Sequence, residues 1–401
     1  MKNNSALANQ KEFIALMAIL MSLVALTIDS ILPALSDIGQ SLQVQNANDT
    51  QFVLSGVFFG MAFGLMIYGP LSDSFGRKPA LYLGIGIFII GDLISLFAQD
   101  FTFMVIGRIA QGFGAASCRV VTTAMIRDKF EGQQMGQVMS LIMVLFILVP
   151  ALAPSFGQLI LYVAHWRAIF LFVLAIALLA LGLLYFRQQE TLAEDNRRSF
   201  SRSAIWQGMK ETFSHPISRL YMFASGIIFG SFVGYLSSSQ QIIQVHYQTG
   251  EAFALYFGLL ALAIGFSSFV NSKLVTRFSM EKLCTMSLLL LSILSILFVW
   301  YMQTHQISLG LFLGYMSVTF FCFGILFGNL STLALSPLGH IAGVATSVIA
   351  SIQTLISVGV GGAIGAAYDN TIAPLTYGFL ACGISALLLV NHARRKTKQL
   401  A

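Results

Sequence analysis

The sequence predicts an all-α membrane protein whose twelve transmembrane helices form two six-helix bundles. Three observations lead there. Of 401 residues, 57% are hydrophobic and 9% charged, against about 25% charged in an ordinary soluble domain, so lipid is the main solvent. Apolar stretches of roughly 20 residues, enough to cross about 30 Å of hydrocarbon as helix, recur along the chain. Once these spans are drawn, 19 of the 22 Lys and Arg residues fall on one side.

In chain order the spans are 13–35, 50–70, 79–98, 102–126, 135–161 and 166–187, then 218–243, 252–272, 282–301, 307–332, 341–366 and 374–392. Helices satisfy their own backbone hydrogen bonds in lipid, so they are expected for every span. The short alternating segments of a transmembrane barrel are absent. The first twelve residues are polar, and the apolar run after them is too long for a signal-peptide core, so the first span is expected to be retained. Between spans six and seven, residues 188–216 form the longest polar stretch. Within it Ile205, Trp206, Met209 and Phe213 share a helical face, as expected of an amphipathic helix on a membrane surface. The expected organisation is a first bundle at 1–187, a linker at 188–216 and a second bundle at 217–401.

The loops alternate in charge. Arg77 and Lys78, Arg127 and Lys129, the cluster from Arg187 to Arg219, and Lys273, Arg277 and Lys282 share a side with both termini. The other side carries Asp37, Asp49, Asp100, Glu251 and Asp369, with Arg167 at a span edge. Short loops rich in Lys and Arg stay cytoplasmic, so both termini are expected there, in an inner membrane. The basic tail from Arg394 to Lys398 suits anionic lipid; with no soluble basic domain, nucleic acid is not an expected partner. No nucleotide-binding GxxxxGK[ST], HExxH or GxSxG occurs, which argues against ATP drive and against an enzyme. The four cysteines stand in separate spans and the six histidines at span edges or in loops, so neither a disulfide nor a metal site nor a cofactor is expected.

Four charges lie deep in the spans: Asp29, Asp92, Arg108 and Arg119. Asp29, Asp92 and Arg108 each lie about six residues, roughly 9 Å, from the outer span ends, so they can share a level. Arg119 lies eleven residues beyond Arg108 on nearly the same helical face, about 16 Å nearer the cytoplasm. Arg stays protonated, whereas a carboxylate in a dry setting near an arginine can gain and lose a proton. Asp29 is therefore the expected proton carrier, tuned by Arg108; the alternative is a permanent ion pair. Arg119 is either an anion-binding group or a partner of Asp92.

GPLSDSFGRK, from Gly69 to Lys78, resembles the G-x-L-x-D-x-x-G-R-K signature of the major facilitator superfamily. Gly76 permits a tight turn there. After span eight, SKLVTRFSMEK repeats part of that pattern, with Thr276 in place of Asp73. Arg108, Gln111, Gly112 and Gly114 are similar to the R-x-x-Q-G-x-G pattern of the superfamily's fourth span. Pro150, Pro154 and Gly157 resemble the proline- and glycine-rich motif of its antiporters, with Gln158 where a second glycine often stands. Asp29 with Pro33, and VTTAMIRDKF from Val121 to Phe130, resemble the bicyclomycin-resistance branch of the drug/proton antiporters; Arg119 departs from that branch. The resemblance implies a latch at Gly69, Asp73, Gly76 and Arg77 near span eleven, and a central cavity lined by spans one, four, seven and ten. Gln111 and Arg119 would line it from the first half, and Tyr235, Ser238, Gln241, Phe320, Phe323, Phe327 and Asn329 from the second. The implied activity is proton-driven efflux of amphipathic small molecules and drugs by a monomer surrounded by lipid. The alternative is export of one endogenous metabolite, such as a siderophore.

Overall fold

The computed structural model describes residues 2–197 and 201–400; linker residues 198–200 lie outside the described residues. The described chain is helical throughout, with short turns between helices. Helices α1 (Lys2–Asp29), α2 (Leu35–Ser41), α3 (Phe52–Phe75), α4 (Arg77–Leu96), α5 (Phe101–Lys129), α6 (Gly132–Val163) and α7 (Arg167–Arg187) make the first half. Helices α8 (Arg202–Ser214), α9 (Pro216–Gln240), α10 (Phe253–Leu274), α11 (Met280–Met302), α12 (Leu309–Leu335), α13 (Ala342–Ala366) and α14 (Ala373–Leu400) make the second. Omitting the short α2 and α8 leaves twelve long helices in the order the hydropathy predicts.

Among the described residues, nine stretches are apolar and long enough to cross a membrane, one of which, Leu309–Ala366, holds both α12 and α13. The other long helices are α5 and α6. Arg108, Gln111 and Arg119 lower the hydropathy of α5. In α6 the apolar stretch among the described residues is Leu148–Val163. Large apolar side chains such as Leu178, Leu179, Leu289, Leu290 and Ile293 are exposed on the long helices, as expected where the solvent is hydrocarbon.

Several helix starts are set by short polar side chains that accept an otherwise unpaired N–H. Asp100 accepts from Phe103 N at 3.0 Å, Ser308 from Leu311 N at 3.4 Å, and the His215 ring from Ser218 N at 3.3 Å. Two span ends differ from the hydropathy reading. Regular helix in span one stops at Asp29 rather than 35, because Pro33 enters a 3-10 turn at Leu32–Ala34 that leads into α2. Span two continues past 70 to Phe75, through Pro70, to the turn at Gly76, whose φ of 103° favours glycine.

The chain divides into two compact units, Met1–Gln43 with Phe59–Arg202, and Val44–Phe58 with Ser203–Ala401. The division falls inside the 188–216 stretch, and it also assigns the segment before and at the start of α3 to the second unit. The two units repeat one packing scheme. In the first, α1 packs on α5, α6 and α7, while α4 packs on α5 and α7. In the second, α9 packs on α12, α13 and α14, while α11 packs on α12 and α14. Each of these pairs matches its counterpart six spans on, the internal symmetry expected of a duplicated bundle.

Helices in lipid associate by close packing and interhelical hydrogen bonds rather than by hydrophobic burial. The α4–α5 pair uses Gly91, Gly107 and Gly114 for this. A β-carbon at Gly91 would lie 2.3 Å from the Gln111 nitrogen, and one at Gly114 2.4 Å from the Phe88 nitrogen. The backbones therefore meet at the level of the polar residues described next.

Candidate functional site

The first unit holds a buried polar relay across three helices. Arg108 on α5 donates through Nη1 to Gln111 Oε1 at 2.6 Å and through Nη2 to the Thr27 carbonyl on α1 at 2.7 Å. Gln111 Nε2 in turn donates to Asp92 Oδ1 on α4 at 2.6 Å. Asp92, Arg108 and Gln111 are all buried, and the Arg108 guanidinium also lies 5.7 Å from the centre of the Phe170 ring on α7. The arginine and glutamine stand one helical turn apart, so both reach the same side of α5. Thr27 lies two residues before Asp29, itself buried at the end of α1. Asp92 faces Arg108 electrostatically. Arg108 thus meets span one at its backbone and a carboxylate from span three through an amide.

Arg119, three turns further along α5, is half-buried. Among the described residues no carboxylate lies within ion-pair distance of it. The structure does not pair it with Asp92, whose hydrogen bond comes from Gln111.

The α6 prolines lie inside a continuous helix, where each lacks a backbone donor. Gly157, one turn past Pro154, meets the break in α1: a β-carbon there would lie 1.9 Å from the Ser30 carbonyl oxygen. The proline- and glycine-rich segment therefore abuts the residue next to Asp29.

A second polar group surrounds the Gly69–Lys78 turn. Arg77 donates to Asp128 Oδ2 at 2.8 Å and to Ser72 Oγ at 2.8 Å, and it also pairs with Asp73. Glu190 sits at the first turn of α4, accepting from the backbone N–H groups of Arg77 and Lys78 at 3.0 Å each. An anion is stabilised there by the unpaired N–H groups and the helix dipole. At this turn the anion on the helix N-terminus is Glu190, while Asp73 holds Arg77. Sequence reading singled out neither Glu190 nor Asp128. The available signals were an acid three residues past Arg187 and one beside Arg127 at the end of α5.

In the second unit, Tyr235, Phe320 and Phe323 are buried in an aromatic cluster. The Tyr235 and Phe320 rings meet edge to face at 4.9 Å, and Phe323 contacts Phe379 at 5.6 Å. Phe229, Phe232 and Phe327 extend the cluster and are only half-buried; the first two went unremarked in the sequence. Asn329 exchanges hydrogen bonds with Asn271 on α10 at 2.9 and 3.3 Å. Ser238 donates to the Gly234 carbonyl of its own helix at 2.8 Å. Gln241 lies past the end of α9, where a π-helical turn begins, and donates to Asn48 Oδ1 at 3.3 Å. Asn48 donates to the carbonyls of Ala366 at 3.1 Å and Tyr368 at 2.8 Å, and the Tyr368 hydroxyl donates to the Gln241 carbonyl at 3.1 Å. Gln241 is thus part of a clasp at a helix end. On α8, Gly208 and Thr212 are buried, with Gly208 facing Val344 of α13, while Trp206 is 65% exposed.

The sequence model of the Major Facilitator Superfamily matches residues 17–366. The chain belongs to this superfamily. Members of the Major Facilitator Superfamily are transporters rather than enzymes, and this chain is a multi-pass membrane transporter for a small molecule. It is 30% identical over 385 residues to the bicyclomycin resistance protein homolog of Haemophilus influenzae, covering 94% of each chain. It is 28% identical over 339 residues to the multidrug resistance protein MdtL of Shewanella oneidensis, covering 82% of each. The fold is similar to that of the xylose transporter XylE from E. coli, with TM-score 0.71 at 15% identity over 94% of this chain and 95% of that one. A D-xylose-proton symporter superposes with TM-score 0.74 at 16% identity, covering 94% and 96%.

Proposed function

We propose that this transporter is a proton-coupled antiporter that exports amphipathic small molecules, including drugs, across the bacterial inner membrane by alternating access, with both termini cytoplasmic. The observation that carries the reading is the Arg108–Thr27 bond, which ties a buried cation on span four to span one beside the buried carboxylate of Asp29. Asp29 takes a proton from outside as substrate leaves and releases it to the cytoplasm as the carrier resets. The relatives named for bicyclomycin and multidrug resistance support the drug class. The side distribution of Lys and Arg supports the orientation.

The test is movement of ethidium and of bicyclomycin in proteoliposomes under an imposed pH gradient. The wild type should move at least one of them when the gradient is applied. Asp29→Asn should abolish gradient-driven movement while leaving exchange without a gradient. Wild-type coupling in the Asn variant would rule Asp29 out as the carrier.

A second reading is export of one endogenous anionic metabolite, such as a siderophore. It is favoured by Arg119, a half-buried cation with no carboxylate at ion-pair distance among the described residues.

A further inference from the structure

The relay leaves one atom unaccounted for. Asp92 is fully buried on α4, and its Oδ1 accepts from Gln111. Its Oδ2 is buried with no hydrogen-bond partner among the described residues. A buried polar oxygen without a partner is costly, and in a native fold it calls for an explanation. A permanent structural carboxylate would be expected to have both oxygens satisfied.

The surroundings narrow the explanation. Asp92 lies on α4, which packs against α5 and α7. From α5 the charged group facing it is Arg108, reached through Gln111. On α7 the titratable residues are Tyr185 and Arg187 in the far end turn and Arg167 in the near one, where its guanidinium donates to the Leu96 and Ala98 carbonyls just past Asp92. On α4 itself the others are Arg77, Lys78 and Tyr82, at the opposite end from Asp92. The cation linked to Asp92 through hydrogen bonds is thus Arg108, by way of Gln111, and that cation is also bound to span one at Thr27.

We propose that Asp92 is a second proton-binding residue, which takes a proton on Oδ2 when Arg108 withdraws from Gln111 and gives it up when that contact re-forms. The step is a simple protonation: one proton adds to the carboxylate, and the same proton leaves. Gln111 is the positioning residue, since its amide accepts from the arginine and donates to the acid. Any movement of span one at Thr27 that pulls Arg108 is thereby communicated to Asp92, which makes proton occupancy on span three report the position of span one. The inference rests on the antiport reading, and it adds a site to Asp29 rather than replacing it.

The experiment is pH-difference infrared spectroscopy of the full-length protein in lipid vesicles without substrate, reading the carboxyl stretch of protonated acids. A band that titrates with pH should be present in the wild type, lost in Asp92→Asn and retained in Asp29→Asn. Gln111→Leu should move its midpoint by about one pH unit or more, a tenfold change in proton affinity. Persistence of every titrating band in Asp92→Asn would overturn the proposal. If the Asn variant does not fold, Gln111→Leu decides, and an unmoved midpoint overturns the coupling. Gradient-driven ethidium movement in the same wild-type vesicles tests the antiport reading by itself. Its absence would sink that reading, while the band still judges Asp92.

Discussion

Arg77 donates through Nε to Asp128 Oδ2 at 2.8 Å, joining the turn after span two to the last turn of span four. The arginine side chain is 8% exposed and the aspartate 19%, so this pair is shielded from solvent and differs from an ordinary surface ion pair. Asp128→Ala leaves Arg77 with Asp73, Ser72 and a largely buried charge. The expected loss is about 1–3 kcal/mol, the usual cost of an unsatisfied buried polar partner. It should appear as a lower melting temperature in detergent, with Asp128→Asn in between. Unchanged melting in both variants would remove Arg77–Asp128 from the account of the turn.

Gly157 is where α6 meets the carbonyl of Ser30. Gly157→Ala should displace one helix or the other, at about 1–3 kcal/mol for overpacking. Because the contact adjoins Asp29, gradient-driven transport should fall more than stability does. Gly182→Ala is the control, since a β-carbon there meets nothing within 4 Å and an alanine favours helix by up to about 1 kcal/mol. Equal behaviour of the two variants would refute the contact.

The Asn48 clasp joins the segment before α3 to the ends of α9 and α13 in the second unit. Asn48→Ala removes its bonds to two carbonyls and to Gln241. At a net worth of about 0.5–1.5 kcal/mol per bond, reduced where water competes, the variant should melt at lower temperature. Amide hydrogen exchange should also rise around residues 366–368. Full protection there in the variant would show that Asn48 does not hold this end together.

Arg119 separates the two transport readings. If it binds an anionic substrate, Arg119→Ala should weaken anionic and zwitterionic ligands by roughly tenfold to a hundredfold, the 1.5–3 kcal/mol of a charge-assisted hydrogen bond. Neutral and cationic ligands should be spared. Binding of three ligands of different charge, measured beside a melting curve, checks this. Equal losses for all three with a lower melting temperature would assign Arg119 a structural role.

The glutamine and arginine of span four were legible as neighbours one turn apart, because helical periodicity places them together without reference to any other helix. Asp92 was legible as a buried charge at a matching depth, but not as the residue that receives the Gln111 amide. That bond depends on how α4 and α5 rotate about their axes, which the glycine contacts set and hydropathy does not. The same limit applies to Tyr235, Phe320 and Phe323, which were visible as aromatics. Their burial against Phe257, Phe232 and Phe379 comes from packing across four helices.

Composition, span length and the siding of Lys and Arg determined by themselves that the chain is helical and membrane-spanning, because the cost of putting charge or unpaired backbone into hydrocarbon acts on each segment separately. Tertiary structure alone decided that Glu190 stands at the start of α4 and that Thr27 holds Arg108. It also decided that the segment before α3 closes on Tyr368. These contacts join residues as far as 320 positions apart, and each needs a particular helix rotation and register that no local pattern encodes.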